Sequence, residues 1–208
     1  MKIRVALVSL LAGATVAGLA AFPPADPQAA NTQATNTQAT ETYKVDPVHT
    51  TSIFRIKHLG VTYFYGRFNE TTGSFTLNTE EPSEMSFDVQ IKTESLDTNA
   101  SGRNNHLKSP DFFNAKQFPT ISFKSKSVQS SGENTYTVSG ELTLHGVTKS
   151  ITVQMELVGQ GDKGRRFGYR AGFGVTFTIK RSDYGMNYMQ GMLGDEVTIM
   201  VGLEGARQ

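Results

Sequence analysis

An all-β antiparallel barrel is the fold class that this sequence predicts, on three observations. Apolar residues recur at every second position along most of the chain, turn residues interrupt that alternation, and helical periodicity is nearly absent. Met85, Phe87, Val89 and Ile91 alternate with polar residues, as do Ile151, Val153, Met155 and Leu157, and again Val197, Ile199, Val201 and Leu203. The longest such run is Phe167, Tyr169, Ala171, Phe173, Val175, Phe177 and Ile179. Side chains of a strand point alternately to opposite faces, so each run describes one wet and one buried face. Further strands are expected near 52–58, 63–69, 73–78, 120–126 and 135–144, about nine in all. Turn signals separate them at His58-Leu59-Gly60, Glu81-Pro82-Ser83, Ser131-Gly132-Glu133-Asn134 and Gly161-Asp162-Lys163-Gly164. The segment 101–115 loses the alternation around Pro110 and is expected to form one or two short helical turns capping an opening. Such strands make a sandwich or a closed barrel, and the glycines of the longest run favour the barrel because they allow sharp corners.

The N-terminus reads as a secretory signal at 1–30. Lys2 and Arg4 precede an uncharged, small and apolar run from Val5 to Phe22. Its cleavage is expected between 20 and 30, which makes the mature protein periplasmic or secreted. An uncleaved anchor is the competing reading, disfavoured by the Gly, Thr and Ser content of the run. Residues 31–40 repeat the pentad NTQAT, too polar to offset its ordering entropy, so 31–41 is expected to be a flexible linker and 42–208 the barrel. The chain has no cysteine, which excludes disulfides, thiolate nucleophiles and a lipidated cysteine. With 20 basic and 19 acidic residues and no basic tract, it lacks the electrostatic footprint of a nucleic-acid binder.

A barrel of about eight strands either fills its interior with side chains or holds one small ligand, and the residues leave both open. The inward faces mix flexible Met with Phe and contain no Trp, which suits a lining. The loop 181–195 carries Tyr184, Met186, Tyr188, Met189, Met192 and Leu193, more apolar surface than a loop normally exposes. It is expected to fold over the barrel mouth or to pair two subunits.

Four stretches, in order, resemble the YceI-like family of exported bacterial polyisoprenoid-binding, lipocalin-like proteins: YKVDPVHTTSIFRIKHLG (43–60), HLKSPDFFNAKQFPTISF (106–123), LTLHGVTKSI (142–151), and KRSDYG followed by LGDEVTIMVGLEG. The resemblance spans 42–205, with Tyr184 standing where the family more often has Phe. It implies an extended eight-stranded antiparallel lipocalin-like barrel around a long hydrophobic pocket, and a ligand such as a polyprenyl phosphate or an isoprenoid quinone. On that reading the expected lining is Phe54, Ile56, Phe87, Val89, Ile91, Phe123, Leu142, Val153, Met155, Phe173, Val175 and Phe177, with Met186, Met189 and Met192 from the loop. Headgroup candidates are His58, Arg103, His106 and Arg181. No cofactor is expected beyond the lipid itself. Transient membrane contact and a homodimer are the remaining partner expectations.

Catalysis has little to stand on. The four histidines, His49, His58, His106 and His145, show no HxH or HExxH spacing, and no GxSxG elbow, P-loop or dinucleotide fingerprint occurs. No catalytic or metal site is therefore expected, and Asp46 before Pro47 reads as a turn-fixing residue. The leading function is carriage or storage of an isoprenoid lipid. The alternative is a filled barrel acting as an interaction or stress-protection module through the 181–195 loop.

Overall fold

The computed structural model describes residues 39–208. The expected signal and most of the pentad repeat lie outside the described residues. Eleven strands follow: β1 (Glu41–Val45), β2 (Thr51–His58), β3 (Thr62–Phe68), β4 (Thr71–Leu77), β5 (Ser86–Lys92), β6 (Leu96–Asp97), β7 (Thr120–Gly132), β8 (Thr135–Leu144), β9 (Val147–Asp162), β10 (Tyr169–Lys180) and β11 (Leu193–Arg207). The one α-helix among the described residues, α1 (Ser101–Leu107), lies in the segment that loses its alternation. Glu41, assigned by the sequence to the linker, instead opens β1, where it pairs with Leu77.

All strand pairs are antiparallel, and the sheet closes on itself where β1 pairs with both β4 and β11. β1 and β2 lie end to end along β11, and β3 and β4 continue them as the next stave. The result is a closed eight-stranded barrel. Its length comes from the 16-residue β9 and the 15-residue β11, far beyond the usual 5–6. Strands this long curve around a barrel only with local relief. Register shifts between Gly172 and Phe173 and between Leu193 and Val197 provide it, together with two in the β7–β8 pair. Gly73 is a second kind of relief: its φ is +134°, and a β-carbon there would fall 2.0 Å from the Asp88 carbonyl oxygen.

The alternation places the faces correctly but blurs the ends. β9 and β11 each begin four residues before the alternating runs that announce them, and β10 begins at Tyr169, leaving Phe167 half exposed in the preceding turn. β1 is too short for its pattern to stand out, and is held by pairing on both sides.

One half of the interior is a dry aromatic cluster. Phe173 meets Phe75 and Phe87 edge-on at 5.4 and 5.0 Å between centroids, and Tyr43 stacks on Phe75 at 5.0 Å. Tyr136, Leu77, Val128 and Val138 complete it. Close by, Asp46 takes the expected turn-fixing role: its Oδ1 accepts the Val48 N–H at 2.9 Å. Its Oδ2 lies 3.0 Å from His49 Nδ1 and accepts from Arg170 Nη1 at 2.6 Å, while the same guanidinium nitrogen reaches Glu204 at 3.4 Å. Asp46, His49 and Glu204 have the composition of a cation site, but Arg170 already supplies the positive charge between the two carboxylates.

The His49 and Arg170 contacts hold the Asp46 carboxyl well below the usual carboxylate range. Its folded pKa is below its unfolded one, so the stabilisation is complete above the unfolded value of about 4 and is lost as pH falls below it. Asp46→Asn is expected to cost about 1–2 kcal/mol at neutral pH, discounted for partial solvent access. Urea unfolding at pH 7 and again near pH 3 checks this: the gap between wild type and variant should narrow in acid.

Candidate functional site: an apolar cavity beneath helix α1

Beyond the aromatic cluster the barrel does not fill. A cavity of about 400 Å³ occupies the other half. The geometry of the sheet explains its place. β3 pairs with β2 along its whole length but meets β6 only at Arg67 and Phe68, so residues 62–66 have no strand on their other side. The chain from 98 to 119, including α1, covers this gap. Phe113 packs against Phe54 and Phe68 at 6.2 and 5.4 Å, and the Arg103 guanidinium lies 4.4 Å above the Phe64 ring.

The wall is almost wholly apolar, and most of the residues expected to form it do so. Phe54, Ile56, Phe87, Val89, Ile91, Phe123, Leu142, Val153, Met155, Val175 and Phe177 line the cavity, with Met186 and Met189 from the 181–195 loop. Two expectations are corrected. Phe173 does not line it: its ring lies among Phe75, Phe87 and Tyr136 in the aromatic cluster. Met192 does not line it either; it stands 50 % exposed outside the rim. The same alternation carried two residues further identifies the omitted linings Ile121, Leu144, Ile151 and Ile179, and the alternating β11 run adds Val197, Ile199 and Val201. Leu107, Phe112 and Phe113 were illegible because their segment has no period. Phe54 owes its position to Gly66, its partner on β3, where a β-carbon would come within 2.3 Å of the ring.

The four headgroup candidates all border the cavity, but their environments differ. Arg181 is 3 % exposed and is a structural clamp. Its Nε donates to the Gly194 carbonyl at 3.0 Å, and its Nη1 donates to the carbonyls of Met186 and Tyr188 at 2.7 and 2.8 Å. Burial lowers its pKa, opposed by the nearby Asp195. These bonds fold the loop inward, so Met186 and Met189 face the cavity. Arg103 is exposed, with Nε and Nη2 donating to Thr98 at 2.9 and 2.6 Å. His106 is 2.9 Å from Asp111 and edge-on to Phe112 and Tyr188. His58 ends β2 on the face shared with Phe54 and Ile56, and its imidazole has no protein hydrogen-bond partner among the described residues. One end of the barrel is thus a polar-rimmed mouth over an apolar interior. That arrangement fits an amphiphile with its tail inside.

Comparison with known proteins gives a consistent result. Residues 43–205 match the model of the YceI-like domain. A UPF0312 protein of Pseudomonas aeruginosa is 44 % identical over 168 residues, covering 80 % of this chain and 87 % of the relative. A UPF0312 protein of Photorhabdus laumondii is 41 % identical over the same length, covering 80 % of this chain and 86 % of the relative. The crystal structure of a Campylobacter jejuni YceI protein superposes with a TM-score of 0.64 at 29 % identity, covering 73 % of this chain and 89 % of that one. A polyisoprenoid binding domain from Saccharophagus degradans shares the fold, with a TM-score of 0.60 at 15 % identity over 80 % of this chain and 98 % of that one.

Proposed function

The chain belongs to the YceI-like family, and from that premise we propose that it carries or stores one long isoprenoid lipid, a polyprenyl phosphate or an isoprenoid quinone, in the cell envelope. The observation that carries the reading is the 400 Å³ cavity, whose wall is almost wholly apolar and which the charged and histidine side chains of His58, Arg103 and His106 border. The name of the Saccharophagus degradans domain supports an isoprenoid as the class of tail. The basic start and uncharged apolar run at the N-terminus, read as a signal, support the location, with the protein periplasmic or secreted. A filled barrel acting as an interaction module would have no such cavity, and the loop it would use turns Met186 and Met189 inward.

Within the mouth, His58, Arg103 and His106 are the groups available to a headgroup, while Arg181 holds the loop that shapes it. No cofactor and no catalytic step are assigned. Each methylene taken out of water contributes about 0.8 kcal/mol, yet a bilayer offers the tail an equally apolar environment. Transfer between membrane and barrel is therefore near balance, which suits a carrier in transient contact with the membrane.

The test is to express the full chain with its own signal, purify it without detergent, extract it with organic solvent and analyse the extract by mass spectrometry. One isoprenoid lipid per barrel is the expected result. A protein that folds yet yields no lipid, and takes up none from micelles, overturns the reading.

A further inference from the structure

Exposed apolar side chains gather at the cavity mouth. Val61 is 85 % exposed, Leu59 51 % and Met192 50 %, and they come from two segments joined across the rim, where the Leu59 N–H donates to the Met192 carbonyl at 2.7 Å. Tyr188, on the 181–195 loop, makes edge-type contacts with Phe112 and His106 and is 43 % exposed. None of Leu59, Val61, Met192 and Tyr188 lines the cavity. They surround its entrance and face outward.

Leu59 is the informative residue. Its φ is +52°, the left-handed region that crowds an ordinary β-carbon against the backbone and that tight hairpins reserve for Asn, Asp or Gly. A leucine there is strained, and because it is half exposed its side chain returns little to the core. Local strain and solvent-facing apolar surface at the rim of a binding cavity indicate a role outside folding.

We propose that Leu59, Val61 and Met192 form a lip that inserts into the surface of a phospholipid bilayer, seating the cavity mouth against the acyl chains. The proposal rests on the lipid-carrier reading above and names the surface through which loading occurs. Charge around the lip supports a bilayer. Lys57, exposed and without an ion-pair partner among the described residues, lies beside Gly194 near the lip, and Arg103 stands exposed at the rim. Tyr63, the second residue of β3, carries the Arg55 guanidinium 4.3 Å from its ring centre. Cations behind an apolar edge, with tyrosines at its margin, match the phosphate and interfacial layers of a membrane. A bilayer in contact with this mouth would also deliver a lipid tail without exposing it to water.

Leu59→Gly with Val61→Asp tests the lip, since glycine relieves the left-handed turn and neither residue touches the cavity. The full chain is sedimented with sucrose-loaded vesicles of phosphatidylethanolamine and phosphatidylglycerol. The wild type should partition onto them, and the double variant should do so about tenfold less or weaker. Transfer of a fluorescent prenyl lipid from vesicles should slow by a similar factor, uptake of that lipid from micelles should be unchanged, and the thermal midpoint should hold or rise. Equal sedimentation of the two proteins, or none by either, overturns the proposal. So does a wild-type dimer that the double variant turns into monomer, because the lip would then join two copies. A protein that docks on vesicles in the expected way but yields no isoprenoid on extraction leaves the lip standing and defeats the carrier reading alone.

Discussion

Truncation of Phe173 to alanine should destabilise the protein by about 3–5 kcal/mol, as large-to-small changes in a dry aromatic core do. Phe173 makes three aromatic contacts, with Phe75, Phe87 and Tyr136, and is 1 % exposed. Removing its ring leaves a void whose rigid neighbours cannot collapse into it. Phe177 lies on the same face of the same strand but borders a cavity that already exists. Phe177→Ala enlarges that space without opening a new one, so its cost should be nearer 1–2 kcal/mol, the transfer contribution with little added. Urea unfolding of the two variants, with wild type as reference, measures the contrast. Equal losses would mean that the two halves of the interior are packed alike, and the division between a structural base and a binding chamber would fail.

That pair also shows what the sequence discloses. Alternation assigns Phe173 and Phe177 to one face, and both do point inward. Four residues of strand separate them by about 13 Å along the barrel, and period two carries no information on depth. The sequence reading therefore grouped a core residue with the lining. The closing pairs of the barrel are similarly invisible: β1 is five residues long, and its partners lie some 35 and 160 positions away. Family resemblance filled that gap, because the ordered motifs span the chain from one end of the fold to the other.

Loops fail for a different reason. Arg181 looks like a mouth residue in sequence because it follows an alternating strand and carries charge. Its burial depends on three backbone carbonyls of the following loop, which no side-chain pattern announces. Met186, Met189 and Met192 are chemically equivalent in the sequence, yet the clamp turns the first two inward and leaves the third outside. Phe112 and Phe113 complete the lining from a segment with no period at all. In each case the decisive information is a backbone path.

Filling the chamber should have the largest effect on function. Val175 lies between Met155 on β9 and Val201 on β11, and all three line the cavity. Val175→Trp projects an indole into space that the tail would occupy, and a loss of roughly 3 kcal/mol of binding corresponds to about a hundredfold weaker affinity. Because side chains do not fill this space, stability should change by no more than about 1 kcal/mol, less than the usual 1–3 kcal/mol cost of overpacking. The native chain has no tryptophan, so the new indole reports on its own surroundings. Its emission should be blue-shifted if it enters the dry cavity and red-shifted if it is expelled to solvent. A blue-shifted variant with the wild-type complement of lipid would place the ligand elsewhere. A blue-shifted variant that purifies empty ties the lipid to this chamber, and leaves the barrel intact as the container from which it was displaced.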